Sequence, residues 1–424
     1  MSSILIKNGT IITQDPARRI IKKGTVYVEG SVIQSVGEGK MEADYVIDAS
    51  RCFVLPGLIN THTHLAMTLL RGYAEDLPFH QWLQEKIWPA ESRMKEEHVH
   101  AGALLGMLEL IGSGTTAFQD MYFWEDAVGK ATVKAGLRGL LGFTIVDKGT
   151  PELKQPLQEA SHFVERWPHH ELVQPVIAPH APYSCSPETL IKTKEIADRY
   201  NVRMHTHVSE TRKEVYDIQR QHGVRPVELL DQLGLLFPGM ALAHAVWLTK
   251  REIGIIAQKE TKVSHNPVSN AKLACGIAPV QQMIESGVVV GLGTDGPASN
   301  NSLNLWETVK YATLLQKVSL WDPLALPAQR VLDMATIDGA RVLGMGEKVG
   351  SIEKGKLADI IVVEQGYDLS QRDPAASLIY SGPRKVKATI VHGKPLMIDD
   401  QFMTLSPEKV LGGAEQAAAQ LGTL

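Results

Sequence analysis

Histidine carries most of the chemistry this sequence could do, and its spacing says which chemistry that is. His62-Thr63-His64 closes an apolar run that begins at Val54. Residues two apart on a strand face the same side, so both imidazoles can grip one cation. His205-Thr206-His207 closes another run in the same way, with Glu210 three residues further on. A third pair, His98 and His100, opens a helical stretch where positions i and i+2 diverge, and reads as a surface pair without a role. His244 stands in Ala243-His244-Ala245, where a satisfied core histidine is the competing account. Asp295 stands in Gly293-Thr294-Asp295-Gly296-Pro297. It is a poor core residue and a good ligand or base, with an aspartate turn before Gly-Pro as the alternative. His180 and His265 each lie near the end of an apolar run and are weak alone. Together, five strand ends would deliver His or Asp to one mouth.

Eight runs could hold these residues: Val54–His64, Thr115–Tyr122, Arg138–Val146, Leu172–Ser184, Val202–Glu210, Met240–Leu248, Thr261–Asn270 and Val288–Asn300. Helical stretches lie between them, among them Glu97–Ile111, Pro187–Tyr200 and Pro226–Leu233. Alternation of this kind predicts an α/β fold, a (β/α)8 barrel with its site at the C-terminal strand ends. The flanks have another texture. Asn8-Gly9 and Gly30-Ser31 each sit between short β-rich runs and predict hairpins. Asp359–Glu364 and Lys387–His392 are β-rich, with turns at Gly355 and Gly393, and Gly412–Leu424 reads as a helix and tail.

The chain has 424 residues, 43 basic against 47 acidic, and a formal charge of −4. That balance gives no electrostatic footprint for nucleic acid or an anionic membrane. No apolar run approaches the roughly 18 residues that span a bilayer. Three scattered cysteines without a CxxC exclude a disulfide scaffold or a thiolate zinc cluster, and an N-terminus lacking the apolar core of a signal peptide adds to a cytoplasmic expectation.

The motifs resemble those of the amidohydrolase superfamily, and within it the 5-methylthioadenosine/S-adenosylhomocysteine deaminases, which include 5′-deoxyadenosine deaminases. The resemblance runs end to end. Its most specific stretches are Pro56 to His64, Arg71-Gly72 with Asp76-Leu77-Pro78, Trp82-Leu83 through Glu91, Gly114-Thr115-Thr116, His265-Asn266-Pro267 with Ser269-Asn270, Gly293 to Gly296, and Gly355 to Asp359. It implies a distorted (β/α)8 TIM barrel over 55–349, with 1–54 and 350–424 joined in one small β-sandwich domain.

The resemblance also implies residue roles. His62, His64, His207 and Asp295 would hold one divalent ion, Zn²⁺ or Fe²⁺. No lysine lies in Leu172–Ser184, which disfavours the lysine-bridged pair of metals found in related cyclic-amide hydrolases. Water would attack C6 of adenine and ammonia would leave. Glu210 would protonate the ring at N1, Asp295 would shuttle the water's proton, and His244 would polarise the water. Glu91 matches a glutamate that binds both ribose hydroxyls, and His180 a substrate-contacting histidine. Trp88 and Ser299 would be cavity walls.

One departure bears on the substrate. Relatives that handle S-adenosylhomocysteine carry arginines at the end of the third strand and in the next loop. Phe143 takes the first place here, and Phe143–Gln158 holds only Lys148 and Lys154. A small neutral nucleoside such as 5′-methylthioadenosine, 5′-deoxyadenosine or adenosine is therefore expected ahead of S-adenosylhomocysteine. The alternative is a free-base deaminase or triazine chlorohydrolase of the same scaffold, against which Glu91 argues. Exposed barrel helices leave room for a homo-oligomer.

Overall fold

The computed structural model describes residues 3–37, 39, 41–147, 156–168, 170–366 and 373–424. Lys148 and Lys154 lie outside the described residues. Eight parallel strands close a barrel in sequence order: Leu58–Thr63, Thr115–Tyr122, Arg138–Ile145, Val173–Pro179, Arg203–Val208, Met240–His244, Lys262–His265 and Val290–Leu292. Their residues are almost all buried because helices cover the outside and side chains fill the inside. Ile59, Ala117, Leu140, Val176 and Ala241 pack together as the plug at the N-terminal end. Leu141, Phe143, Met204 and Leu242 belong instead to the larger core shared with the surrounding helices.

Both chain ends build one mixed sheet of nine strands. Its seam is the antiparallel pairing of Cys52–Pro56 with Ile360–Glu364. Ile4, Ile6, Val26 and Val28 from the N-terminal side meet Ile360, Val362, Ala388 and Ile390 from the C-terminal side in a separate core. The run beginning at Val54 thus divides at Gly57: its first residues belong to the end sheet and its remainder opens the barrel. Leu55 and Pro56 accordingly lie in the end sheet.

Two local expectations are corrected. Asn8-Gly9 makes no hairpin. Ser3–Ile12 runs through it as one strand with an irregular register, and Asn8 takes a φ of +67°. The parallel partner Tyr45–Asp48 and the antiparallel Ile20–Glu29 hold the strand on both edges, so the turn signal becomes a bulge. His98 is not a surface residue either. It is buried, its Nδ1 accepts the Lys95 N–H at 3.0 Å, and its Nε2 lies 3.0 Å from Gln420 Oε1 on the C-terminal helix Pro407–Leu421. The Gly30-Ser31 turn does join two strands, Ile20–Glu29 and Val32–Gly37. Among the described residues, no helix is long and apolar enough to cross a membrane.

Candidate metal centre and active site

Strand parity and three departures from it bring the site together. His205 and His207 share a face of the fifth strand, opposite Met204 and Val208, which pack outward. The first strand slips in register against the second between Asn60 and Thr63. There Thr61 Oγ1 meets Ser264 Oγ at 2.6 Å, while the neighbouring His62 ring also reaches His205. His244 ends the sixth strand and Asp295 lies three residues past the eighth, bridged to Thr63; their φ of +71° and +60° are left-handed conformations that aim the side chains into the mouth. Gly293 makes room: a Cβ there would meet Asn266 Oδ1 at 2.3 Å and the His62 carbonyl at 2.8 Å.

Four hydrogen bonds fix the imidazoles. His64 Nδ1 donates to the Met121 carbonyl at 2.6 Å and His207 Nδ1 to the His180 carbonyl at 2.8 Å. His62 Nδ1 lies 2.7 Å from His205 Nε2, and His244 Nδ1 donates to Asn270 Oδ1 at 2.8 Å. With Nδ1 donating to an oxygen, neutral His207 and His244 keep their Nε2 lone pairs free. His62 Nε2 is buried without a hydrogen-bond partner, 3.4 Å from Asp295 Oδ1; His64 Nε2 is 3.2 Å from the same oxygen. The other Asp295 oxygen accepts from Ser269 Oγ at 2.5 Å and Ser299 Oγ at 2.7 Å.

Ligand atoms of His62, His64 and His207 lie within 4.8 Å of one another, as do those of His62, His244 and Asp295. Three imidazole nitrogens and one carboxylate oxygen, with an orphaned buried Nε2 among them, fit a divalent cation with an open position. The electrostatics agree. Burial drops His62 to about 3 and holds His207 well below the ordinary range, so both imidazoles are neutral, the form that a metal ion binds. Burial would lower His64 too, but the hydrogen bond and charge of Asp295 lift it to about 9. The carboxylate therefore draws positive charge to this spot. Burial would raise Asp295, yet the His62 and His64 imidazoles beside it keep it well below the usual carboxylate range.

A cavity of about 990 Å³ opens from this cluster. Glu210 lines it, its Oε1 3.6 Å from His244 Nδ1, and burial pushes its pKa up. Glu91 is pushed up to about 7 by burial, against the Tyr122 hydrogen bond that lowers it. The His180 ring lies tilted against His207 with centroids 4.9 Å apart, its Nδ1 2.8 Å from Ser184 Oγ, and burial takes it down to about 4. Trp88 is a half-exposed wall.

One substrate-side assignment changes. Phe143 does not face the cavity. It follows Gly142 on the outward parity of the third strand and stacks on Phe163 of the helix Pro156–Arg166 with ring centroids 5.6 Å apart. Thr144 is the cavity residue there, its buried hydroxyl unpartnered. Ser299 does line the cavity, but its hydroxyl is committed to Asp295. No arginine lines the cavity among the described residues. Sequence reasoning gave no role to His205, Ser269, Tyr122 or Glu214. The second HxH pair was the signal for His205, and Ser269 sat unexplained inside a motif.

The amidohydrolase family matches residues 53–396. A 5′-deoxyadenosine deaminase of Methanosarcina acetivorans is 45% identical over 99% of both chains. A 5-methylthioadenosine/S-adenosylhomocysteine deaminase of Syntrophomonas wolfei is 40% identical, again over 99% of both. Among solved structures, an adenosine deaminase from Xanthomonas campestris with bound zinc superposes with a TM-score of 0.96 at 32% identity over 99% of each chain. An E. coli guanine deaminase shares the fold at a TM-score of 0.83 and 21% identity, covering 94% of this chain and 100% of that one.

Proposed function

The chain belongs to the amidohydrolase family, and from that premise we propose that it is a metal-dependent deaminase of 5′-substituted adenosines. It replaces the C6 amino group of 5′-deoxyadenosine, 5′-methylthioadenosine or adenosine with oxygen, giving the inosine derivative and ammonia. One observation carries this reading. Glu210, His244 and Asp295 converge on the His62, His64 and His207 cluster in one cavity whose wall also holds Glu91 and His180.

His62, His64, His207 and Asp295 would hold one cation, Zn²⁺ in the first place and Fe²⁺ as the other ion the set accepts. When bound, it supplies Lewis acidity and a water nucleophile near neutral pH. The protein's own groups do the proton work. Glu210, buried and inclined to keep its proton, donates it to N1 of adenine as charge builds on the ring. Asp295 has one oxygen locked by two serine hydroxyls, so the other takes the proton of the attacking water and returns it to the departing amine. His244, its Nδ1 proton committed to Asn270, offers Nε2 as the acceptor that orients the water. Glu91 accepts from the 2′- and 3′-hydroxyls, and His180 contacts the substrate from its free Nε2. The three cysteines are free and buried, in keeping with a cytoplasmic setting.

The test is an ultraviolet assay over 5′-substituted adenosines and the free bases adenine, guanine and cytosine. Conversion to the inosine chromophore is expected for the nucleosides. Turnover confined to free bases would overturn the reading.

A further inference from the structure

Glu210 is carried on a turn, two residues beyond the end of its strand. The fifth strand stops at Val208, Ser209 takes a φ of +52°, and the helix Arg212–His222 begins after Thr211. Three residues thus connect strand and helix, and Glu210 is the middle one. Neither the barrel ladder nor the helix supplies an acceptor for the amides of Ser209 and Glu210. Both are buried, and a buried amide without an acceptor is costly.

Glu214 supplies both acceptors. Its Oε1 takes the Ser209 N–H at 2.7 Å and its Oε2 the Glu210 N–H at 2.8 Å. The side chain is buried and itself lines the cavity. Thr211-x-x-Glu214 has the form of a capping box, in which the glutamate would return to the amide of the capping residue. Only half of that arrangement is present: Thr211 Oγ1 accepts the Glu214 N–H at 3.1 Å. The carboxylate passes over Thr211 and clamps the two amides before it. The Ser209 carbonyl is held as well, by the Val246 and Trp247 amides at 3.1 and 2.9 Å. That second tie joins the turn to the chain just beyond His244.

We propose that Glu214 is a positioning residue for the reaction, fixing the backbone of Glu210 so that its carboxyl stays in line with His244 and the adenine ring. This rests on the reading of Glu210 as the proton donor. A carboxylate with both oxygens accepting is the group the turn requires. An amide in its place keeps one acceptor and sets an NH₂ donor against an N–H donor. The turn then shifts and carries Glu210 with it, and displacement of a reacting group by about 1 Å is worth roughly 100-fold in rate.

The experiment is a double-mutant cycle on the metal-loaded enzyme with adenosine or 5′-deoxyadenosine. Glu214→Gln should lower kcat about 10- to 100-fold, leave KM within about threefold and retain bound metal. In a Glu210→Gln background the same change should cost nothing further, because the group it positions is gone. Glu214→Ala, with both acceptors removed, should lose at least as much kcat. Melting temperature and metal content of each variant separate misfolding from misplacement. An unchanged kcat, an equal loss in both backgrounds, or an effect on KM alone would overturn the positioning role and leave Glu210 as the acid. Full activity of Glu210→Gln itself would overturn both.

Discussion

His62 Nδ1 lies 2.7 Å from His205 Nε2, the two rings meeting inside the barrel beneath the site. A ligating histidine needs its second nitrogen anchored to hold tautomer and orientation, a task usually given to a carboxylate or carbonyl. In the proposed metal site another histidine, His205, would do it for His62. His205→Phe should keep the fold and lower zinc affinity about 10- to 100-fold. Competition titration against a chelator measures this, and unchanged affinity would remove His205 from the metal site.

Asp295 should be intolerant of even isosteric change. Ser269 and Ser299 both donate to one of its oxygens, so an amide there must set its NH₂ either against those hydroxyls or toward the imidazoles. Asp295→Asn should weaken metal binding and lower kcat by about 10²- to 10⁴-fold, the usual worth of a proton-transfer group. Near wild-type turnover would refute the shuttle role.

Glu91 gives the pH dependence. Burial takes its pKa from 4.5 to about 7. Between those values the folded chain holds a proton that the unfolded chain has released, so this group's contribution to stability falls as pH rises through that window. Ribose binding runs the other way, since only the carboxylate accepts from both hydroxyls. For adenosine, kcat/KM should therefore fall as pH drops below about 7. Glu91→Gln should abolish that limb and raise KM about 10- to 100-fold. A limb that persists in the variant belongs to another group.

The 5′ preference rests on the cavity wall. With no arginine among its described lining residues, the cavity offers the carboxylate of S-adenosylhomocysteine no bidentate guanidinium partner. Its kcat/KM should lie about 10- to 100-fold below that of 5′-deoxyadenosine or 5′-methylthioadenosine. Comparable or higher values for the homocysteine conjugate would sink this preference.

Stability has its own weak point far from the chemistry. Arg138 Nε and Nη2, at the start of the third strand, donate to the two Asp359 oxygens at 2.9 and 3.1 Å, and both side chains are buried. The Asp359 carbonyl takes the Gly57 N–H at 3.0 Å, where the chain passes from end sheet to barrel. Asp359→Ala strands a buried cation and should cost about 3–5 kcal/mol in urea unfolding. A loss under about 1 kcal/mol would show the pair to be no more than a surface-type bridge.

Much of this was legible in the residues alone. Barrel strands such as Thr115–Tyr122 and the helix Pro187–Tyr200 fall where apolar runs and Pro-led helix starts put them, since periodicity and caps are local properties. The two HxH pairs at strand ends were equally legible, because strand parity fixes that residues two apart share a face. Parity does not say which face is inward when both are buried, and the resemblance put Phe143 at the relatives' arginine position whereas Thr144 is the residue that lines the cavity. Nor could sequence show that left-handed turns at His244 and Asp295 aim those side chains into the mouth. The His62–His205 contact spans 143 residues, and Glu214 reaches back past its expected capping partner to two amides. Residue type and local spacing determined which groups could do chemistry. Orientation and long-range pairing, which depend on closing the barrel, decided which of them meet.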